Sequence, residues 1–457
     1  MAAVRPASAE TSLSGLVYSR VNIDFRHERT APFEDDKEWR NKVFVELKSD
    51  VSENLSATFS LLAEHDTLSG LNTRLNYRLG LYEGYARLKK GDWDFYLGKQ
   101  TVDWGKADVS LIDSVNPRNL TEFAGREDEF LKIPTLMGRA VLTRGANTFE
   151  ALYEPFYTPS QLSLYGTDWS LINSNKMGSY HGDIDVALYA KQGFKPGVDD
   201  YPDPNAVNGS VAVRWNHQGD GFDYQLSYLN GWAVLPLFDF NKDFAAYLAA
   251  QPEGARKTLF TLSPQEVIAF SPLYRSRPVR QNQIGFGTSG YVGESTVRAE
   301  LTAIQPQQLY TNQFKLTEHT IGAGTVGIDR FFPGNLYANA AYLGAFVGQY
   351  PKEGVYLLRE WNHFGVLVLR GNYFDDRFNP ELRAVANAWV FHGNLKAAFM
   401  LNPRLPLKVA ENTNLILGAY WLNGPGSSSD IPVAGDESVF GQFQENSYAY
   451  LQLRRSF

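Results

Sequence analysis

The sequence predicts an all-β protein, a transmembrane antiparallel β-barrel of about 18 strands. The first observation is alternation, because many segments place an apolar residue at every second position, as strands with one apolar and one polar face do. The second is composition: 14% of the 457 residues are aromatic, although the mean hydropathy is only −0.31. The third is a contrast between short polar turns and long connections, which is typical of barrels with tight periplasmic turns and elaborate outer loops.

The two ends of the chain show the alternation clearly. In LVYSRVNIDFR (residues 16–26), Val17 and Val21 fall on the apolar face and Arg20 and Asp24 on the polar face. The closing segment YAYLQLRRSF repeats the pattern and stops on Phe457. In a barrel, the apolar face meets lipid and the polar face meets the lumen. The terminal aromatic residue resembles the signal by which bacterial outer-membrane proteins are recognised for assembly.

Short polar turns set the predicted strand number. Eight of them separate alternating segments, at residues 52–55, 90–93, 144–147, 218–221, 293–295, 333–335, 375–377 and 411–414. They supply the Gly, Asn and Asp residues that tolerate the positive φ of tight hairpins. Eight hairpins and one strand at each terminus give 18, an even number as expected for bacterial barrels. Residues 182–192 also alternate, but we assign them to an outer loop to keep the number even; 16 strands result if one hairpin lies outside the membrane.

The domain organisation expected from this pattern is simple. Residues 1–10 are expected to be a flexible or engineered N-terminus from which a signal peptide has been removed, and residues 11–457 a single barrel. Long loops are expected near residues 101–133, 156–204, 233–276 and 424–442. The third of these reads as two short helices, one carrying Phe244, Leu248 and Ala249 and the other capped by Ser263 and Glu266.

Composition excludes several classes of chemistry. The chain has no Cys, which removes disulfides, Fe–S clusters, thiolate zinc sites and Cys-x-x-Cys-His haem attachment. Its net charge of −7, without a basic cluster, argues against nucleic acid as a ligand. No phosphate-binding loop, dinucleotide fingerprint, nucleophile elbow or helical His pair occurs. We therefore expect no cofactor, no metal site and no enzymatic activity.

Charged residues with lumen-facing parity are the first group of candidate functional residues. A wall of opposite charges would give a water-filled pore with a transverse field. The alternative is that these charges only pair with one another and solvate the inner wall. The candidates on the strands are Arg20, Asp24, Glu46, Arg87, Arg214, Arg298, Glu300 and Arg454.

The segment GKQTVDWGKADVSLIDSVNPRNLTEFAGREDEFLKIP supplies the second group. It runs for more than 30 residues before the chain re-enters the wall, which is long for a structureless loop. Asn116 and Pro117 favour the start of a short helix. Folded inward the segment would constrict the lumen; folded outward it would be a surface loop. Its candidate residues are Asp113, Arg126, Glu127, Asp128, Glu129 and Lys132.

The start of this segment also carries a resemblance. Its residues Gly98, Lys99, Gln100, Trp104, Gly105, Asp113, Asn116 and Pro117 follow a pattern of Gly-Lys/Arg-Gln, an aromatic-Gly turn, an Asp and an Asn-Pro. In this pattern the chain resembles a large group of proteobacterial outer-membrane barrels of unassigned substrate, distantly similar to the alginate-export and substrate-selective porins. The resemblance implies a barrel and transport, and it supplies no substrate.

Two functions remain open at this point. The leading expectation is a porin-like channel in a Gram-negative outer membrane, surrounded by lipid and lipopolysaccharide, that passes small solutes selectively through a loop-constricted lumen. The alternative is the exit duct of an export complex, or a sleeve around a periplasmic partner such as a multihaem cytochrome. A sleeve usually needs more than about 18 strands, because barrel diameter grows with strand number.

Overall fold

The computed structural model closes the chain into one barrel. It describes residues 10–25, 37–67, 77–122, 126–162, 169, 201–251, 263–311, 315–352, 354–355, 358–391, 394–425 and 438–457. Eighteen antiparallel strands form one sheet in which each strand pairs with the next. The last strand pairs with the first, for example Arg20 opposite Gln452, so the sheet has no free edge. The predicted fold class and strand number are confirmed.

The strands and helices have the following bounds. The barrel strands are β1 (Thr11–Asp24), β2 (Lys37–Ser52), β3 (Leu55–Asp66), β4 (Tyr77–Lys90), β5 (Trp93–Gln100), β6 (Thr135–Arg144), β7 (Asn147–Glu154), β8 (Ser210–His217), β9 (Phe222–Trp232), β10 (Arg280–Val292), β11 (Ser295–Tyr310), β12 (Leu316–Phe332), β13 (Leu336–Val347), β14 (Trp361–Gly371), β15 (Glu381–Phe391), β16 (Asn394–Ala410), β17 (Thr413–Asn423) and β18 (Tyr448–Ser456). The helices are α1 (Lys242–Ala250), α2 (Pro264–Ala269) and α3 (Val439–Gln442). None of the described helices has the length and apolar character needed to cross a bilayer.

Small elements lie outside the barrel wall. Asn119–Leu120 pairs in parallel with Gln161–Leu162, and Leu237–Phe240 pairs antiparallel with Tyr274–Arg277. The predicted capping box of α2 is present, because Ser263 accepts from the backbone of Glu266 while the Glu266 side chain accepts from the backbone of Ser263. Within the described residues, single 3₁₀ turns cover Asp128–Phe130, Ala206–Asn208 and Gln444–Asn446.

All eight short turns predicted from the sequence join neighbouring strands. Gly91, between β4 and β5, has a φ of 60°, and Asn412, between β16 and β17, has a φ of 53°. Residues of these types occupy this left-handed region at little cost. The turn between β14 and β15 is longer than the others. Residues 182–192 lie outside the described part of the chain, so their assignment to a loop remains a prediction.

The two faces of the wall differ as the alternation predicts. On β1, Val21 is 40% exposed and faces outward, whereas the adjacent Arg20 faces inward and is 3% exposed. Exposed aromatic side chains lie on the outer face near both ends of the wall. Those at the loop end include Trp39, Tyr77 and Trp361, and those at the turn end include Trp93, Phe95 and Phe149. Such an apolar band between aromatic girdles is typical of a barrel in a bilayer.

The packed core lies inside the barrel. One apolar cluster joins Val102, Trp104, Ile112 and Val115 of the segment after β5 to inward-facing residues of β6–β9. A second joins Phe440 and Phe443, from the segment around α3, to inward-facing residues of β15–β18 and to Trp169. Loops therefore fill part of the lumen at the loop end of the barrel.

Candidate functional site

The segment between β5 and β6, residues 101–134 and called here the lumen loop, folds into the barrel. Its root is held by Asn116. The Asn116 Oδ1 atom accepts a hydrogen bond from the backbone of Val102 at 2.8 Å, and its Nδ2 atom donates to Gln100 O at 3.2 Å and Ile133 O at 3.3 Å. The predicted helix starting at Pro117 is wrong: residues 119–120 form a short strand instead. The Asn116 side chain bonds to both ends of the loop and is not available as a helix cap.

Asp113 and Lys132 form an ion pair within the lumen loop. The Lys132 Nζ atom lies 2.7 Å from Asp113 Oδ1 and donates to Val102 O at 2.7 Å. Asp113 also accepts from Arg118 Nη2 at 3.0 Å. The Lys132 side chain is only 12% exposed. These candidate residues therefore connect the part of the loop that leaves β5 with the part that returns to β6.

Three further residues of the sequence motif lie at this root, namely Gly98, Gln100 and Trp104. Gly98 has a φ of 138°, and a Cβ atom there would lie 2.3 Å from Gly84 O. Gln100 donates to Met137 O at 3.3 Å, which ties β5 to β6. The Trp104 indole donates to Glu150 on β7 at 3.2 Å. The motif thus specifies how the lumen loop leaves the wall.

The part of the lumen loop that contains Trp104, Ala107 and Ser110, called here its first arm, crosses to β9–β13. The Gln225 side chain on β9 donates to Trp104 O at 2.7 Å. On β11, the buried Glu300 carboxylate accepts from the backbone of Ala107 at 2.9 Å and from the Ser110 hydroxyl at 2.5 Å. Glu300 is 2% exposed, so it holds the loop and does not face solvent.

The part of the lumen loop that contains Glu122, Arg126 and Glu127, called here its second arm, lies against the opposite side of the barrel. Its ion pairs with the wall form what we call the buried ionic cluster. Glu127 lies 2.8 Å from Lys42 Nζ on β2 and 3.3 Å from Arg20 Nη1 on β1. Glu122 contacts Arg40. Side chains of this cluster are at most 13% exposed. Its members are Arg20, Glu38, Arg40, Lys42, Glu64, Glu122, Arg126 and Glu127.

The buried ionic cluster compensates its own charges. Glu64 on β3 lies 3.0 Å from Lys42 and 2.9 Å from Arg126 of the loop. Burial disfavours the charged form of Glu127, but the cations of Lys42 and Arg20 outweigh burial and hold the pKa of this carboxyl well below its usual range. Glu127 is therefore ionised and acts as an anchor of the second arm.

Other charged pairs of the lumen remain accessible and form what we call the exposed strip. Asp128 of the loop lies 2.9 Å from Arg383 on β15, and Glu129 lies 2.7 Å from Arg454 on β18. The Asp128 side chain is 69% exposed, in contrast to that of its neighbour Glu127. The members of the strip are Asp108, Asp128, Glu129, Arg298, Arg370, Arg383, Arg404 and Arg454.

The charges of the exposed strip meet acidic partners. Arg370 on β14 lies 2.8 Å from Glu381, and Arg404 on β16 lies 3.4 Å from the same carboxylate. Arg298 on β11 contacts Asp329 and lies 3.9 Å from Asp108 of the loop. Positive and negative groups thus alternate around the lumen, which produces a local field with little net charge.

The structure does not place all candidate residues at the lumen loop. Glu46 pairs with Lys48 at 2.7 Å and Arg87 with Asp94 at 2.8 Å, near the short turns. Asp24 lies buried at the loop end of β1. Arg214 does join the loop, since it pairs with Glu150 at 2.5 Å and donates to Asp103 O at 3.0 Å.

Several charged residues of these two regions were absent from the sequence-based candidates. They include Glu38, Arg40, Lys42, Asp108, Glu122, Arg370, Glu381, Arg383 and Arg404. Those of these residues that lie on strands occupy inward-facing positions of the alternation, as Glu46 does. The alternation could therefore have identified them. Glu122 lies in an irregular segment where no periodicity indicates direction.

Neither a protein-family model nor a curated protein sequence matches the chain. The structure is similar to OccAB3 of Acinetobacter baumannii, with a TM-score of 0.51 and 8% identity, covering 98% of this chain and 99% of that one. OccK8 (OprE) of Pseudomonas aeruginosa and a BenF-like porin from Pseudomonas fluorescens Pf-5 each give a TM-score of 0.51 and 10% identity, covering 98% of both chains. The chain has the fold of the outer-membrane porins, a closed antiparallel barrel of 18 strands.

Proposed function

We propose that this protein is a passive channel of a Gram-negative outer membrane that admits small polar solutes past a constriction formed by the lumen loop. A closed barrel with an apolar outer band and a charged inner face separates a polar path from lipid. The fold shared with porins supports the same assignment. The proposal gives the protein no catalytic chemistry.

The observation that carries the proposal is that the lumen loop contacts opposite sides of the wall. Its first arm is bonded to Glu300 on β11, and its second arm is paired with Lys42 on β2. A segment anchored on both sides narrows the path between them. The accessible charges beside it belong to the exposed strip, so solutes would meet those groups.

The charge pattern of the exposed strip favours selection by size and polarity. Arg383 faces Asp128, and Arg454 faces Glu129, so each cation lies beside an anion. Paired charges orient a dipolar solute but give little preference for one sign of ion. We therefore infer weak ion selectivity in the unmodified channel.

The same geometry favours a solute channel over a sleeve around a folded partner. Barrel diameter grows with strand number, and 18 strands with a loop across the lumen leave little room for a folded domain. An exit duct would need the lumen loop to move away from its anchors in the buried ionic cluster.

The test is conductance in a planar lipid bilayer, with salt gradients to measure ion selectivity. We expect discrete current steps and a reversal potential close to zero. Arg383→Glu should shift the reversal potential towards cation selectivity, by roughly a twofold or larger change in permeability ratio, because it converts a cation of the strip into an anion. Arg87→Glu, near the short turns, is the matched control and should shift it less. Absence of steps from folded, inserted protein would overturn the proposal.

A further inference from the structure

A small cavity lies between the root of the lumen loop and the loop ends of β7–β9. Ser114, Val115 and Pro117 of the loop line one side, and Glu154 and Ser210 line the wall side. The space has the size of a water molecule or an ammonium group. None of the contacts that anchor the lumen loop to β11 or β2 passes through this cavity.

Among the described residues that line the cavity, Glu154 is the only acidic one, and it is 6% exposed. Among the described residues, no lysine or arginine lies within ion-pair distance of its carboxylate. Glu150, four positions earlier on the same inward face of β7, shows the contrast, because it pairs with Arg139 at 2.6 Å and with Arg214 at 2.5 Å. A buried carboxylate without a counter-charge is costly, so it takes up either a proton or an external cation.

The rest of the lining suits a cation. Hydroxyl groups of Ser114 and Ser210 supply oxygen acceptors, and the ring of Tyr157 supplies a π face that attracts cations. The neighbouring Trp232 ring, 5.8 Å away between centroids, already carries the Arg280 guanidinium at 5.4 Å. We propose that this cavity is a binding site for a small ammonium group, with Glu154 as its counter-charge. The size of the cavity admits a primary ammonium and excludes a quaternary one.

The site adjoins the loop root directly. The Thr135 hydroxyl lies beside the Glu154 carboxylate, and the same hydroxyl accepts from Asn116 Nδ2 at 3.3 Å. A cation at Glu154 would therefore lie close to Thr135, which is hydrogen-bonded to the residue that anchors the lumen loop. The inference does not rest on the proposed channel function, because binding can be measured without transport.

The experiment compares thermal unfolding of the folded protein in detergent with methylammonium chloride or choline chloride at equal ionic strength. We expect methylammonium to raise the unfolding temperature relative to choline in a saturable way, because a ligand that binds only the folded state stabilises it. Glu154→Gln should abolish this difference. Glu411→Gln, on an exposed turn at the other end of the barrel, is the matched control and should retain it.

If Glu154→Gln does not fold, a second variant can be measured in its place. Ser210→Val places methyl groups in the cavity beside Glu154, since the two residues are paired between β7 and β8. It too should abolish the difference between the two salts. The inference is overturned if the unmodified protein responds equally to both salts, or if folded Glu154→Gln keeps the full methylammonium effect.

Discussion

The lumen loop meets the barrel wall through two sets of ion pairs that differ in solvent access. In the buried ionic cluster, Arg40 and Glu38 are each 4% exposed, whereas in the exposed strip Asp128 is 69% exposed. The residue types and distances are alike. The difference teaches that burial decides whether a charge anchors the loop or faces the open part of the lumen.

The ion pairs of the two sets are expected to contribute different amounts to the free energy of unfolding. Breaking a buried pair by removing one partner leaves an uncompensated charge and costs about 3–5 kcal/mol. Accessible pairs are screened by water and contribute about 0–1 kcal/mol. Variants in the two regions should therefore separate into effects on stability and effects on conduction.

The largest effect is expected for Arg40→Met. It removes the guanidinium that pairs with Glu38 at 2.7 Å and contacts Glu122. The free energy of unfolding should fall by about 3–5 kcal/mol, measured by denaturant unfolding in lipid vesicles. Arg383→Met in the exposed strip is the control and should lose about 1 kcal/mol or less. Equal losses would remove the distinction between the regions.

A smaller effect is expected for Asn116→Ala at the loop root. The substitution removes bonds to Val102, Gln100 and Ile133 and leaves buried backbone groups unsatisfied, at a cost of about 1–3 kcal/mol. We expect single-channel currents that are larger and noisier as the loop loosens. Ser114→Ala, which loses one bond to Gln283, should change the current less. Unchanged currents in Asn116→Ala would show that the loop is held elsewhere.

The pH dependence of stability should sharpen the comparison. The folded-state pKa of Glu127 is lowered, so its contribution is complete above the unfolded value near 4.3 and is lost as pH falls towards the folded value. Between pH 4 and 3, the unmodified protein should lose about 1.1 kcal/mol more than Glu127→Gln. The control is Glu129→Gln, which should follow the unmodified protein closely. Parallel curves for Glu127→Gln and the unmodified protein would contradict an anchoring role.

The smallest effect is expected for Lys48→Ala. The Lys48 side chain is 58% exposed and pairs with Glu46 near the turn end of β2. Its removal should change the free energy of unfolding by about 0.5 kcal/mol or less. A loss above about 2 kcal/mol, in the same unfolding measurement, would show that exposure does not separate weakly from strongly stabilising ion pairs.

The barrel could be predicted because its rules are local. Alternation identifies which side of a strand meets lipid, and a Gly or Asn such as Gly91 or Asn412 identifies a tight turn. Neither signal requires knowledge of distant contacts. The strand number and the inner face of β1 followed from them.

The loop's contacts could not be predicted for the opposite reason. Glu127 and Asp128 are adjacent acidic residues in one sequence run, yet one contacts β1 and β2 and the other contacts β15. Only the path of the loop across the lumen separates them. The sequence also offered Arg126 and Lys132 as candidate residues of a lumen constriction, and both lie in well-buried pairs. We now expect charge reversal there to displace the loop as well as to alter the charge.

The most direct test of whether the lumen loop constricts the channel uses the absence of cysteine from the chain. Single variants Asp128→Cys and Glu127→Cys place a thiol at adjacent positions, one in the exposed strip and one in the buried ionic cluster. A cationic methanethiosulfonate reagent is then added to each open channel in a planar bilayer. We expect a rapid, stepwise fall in current for Asp128→Cys and little or slow modification of Glu127→Cys. Equal modification of both, or modification of Asp128→Cys without a change in current, would contradict the claim that the lumen loop constricts the channel beside the exposed strip.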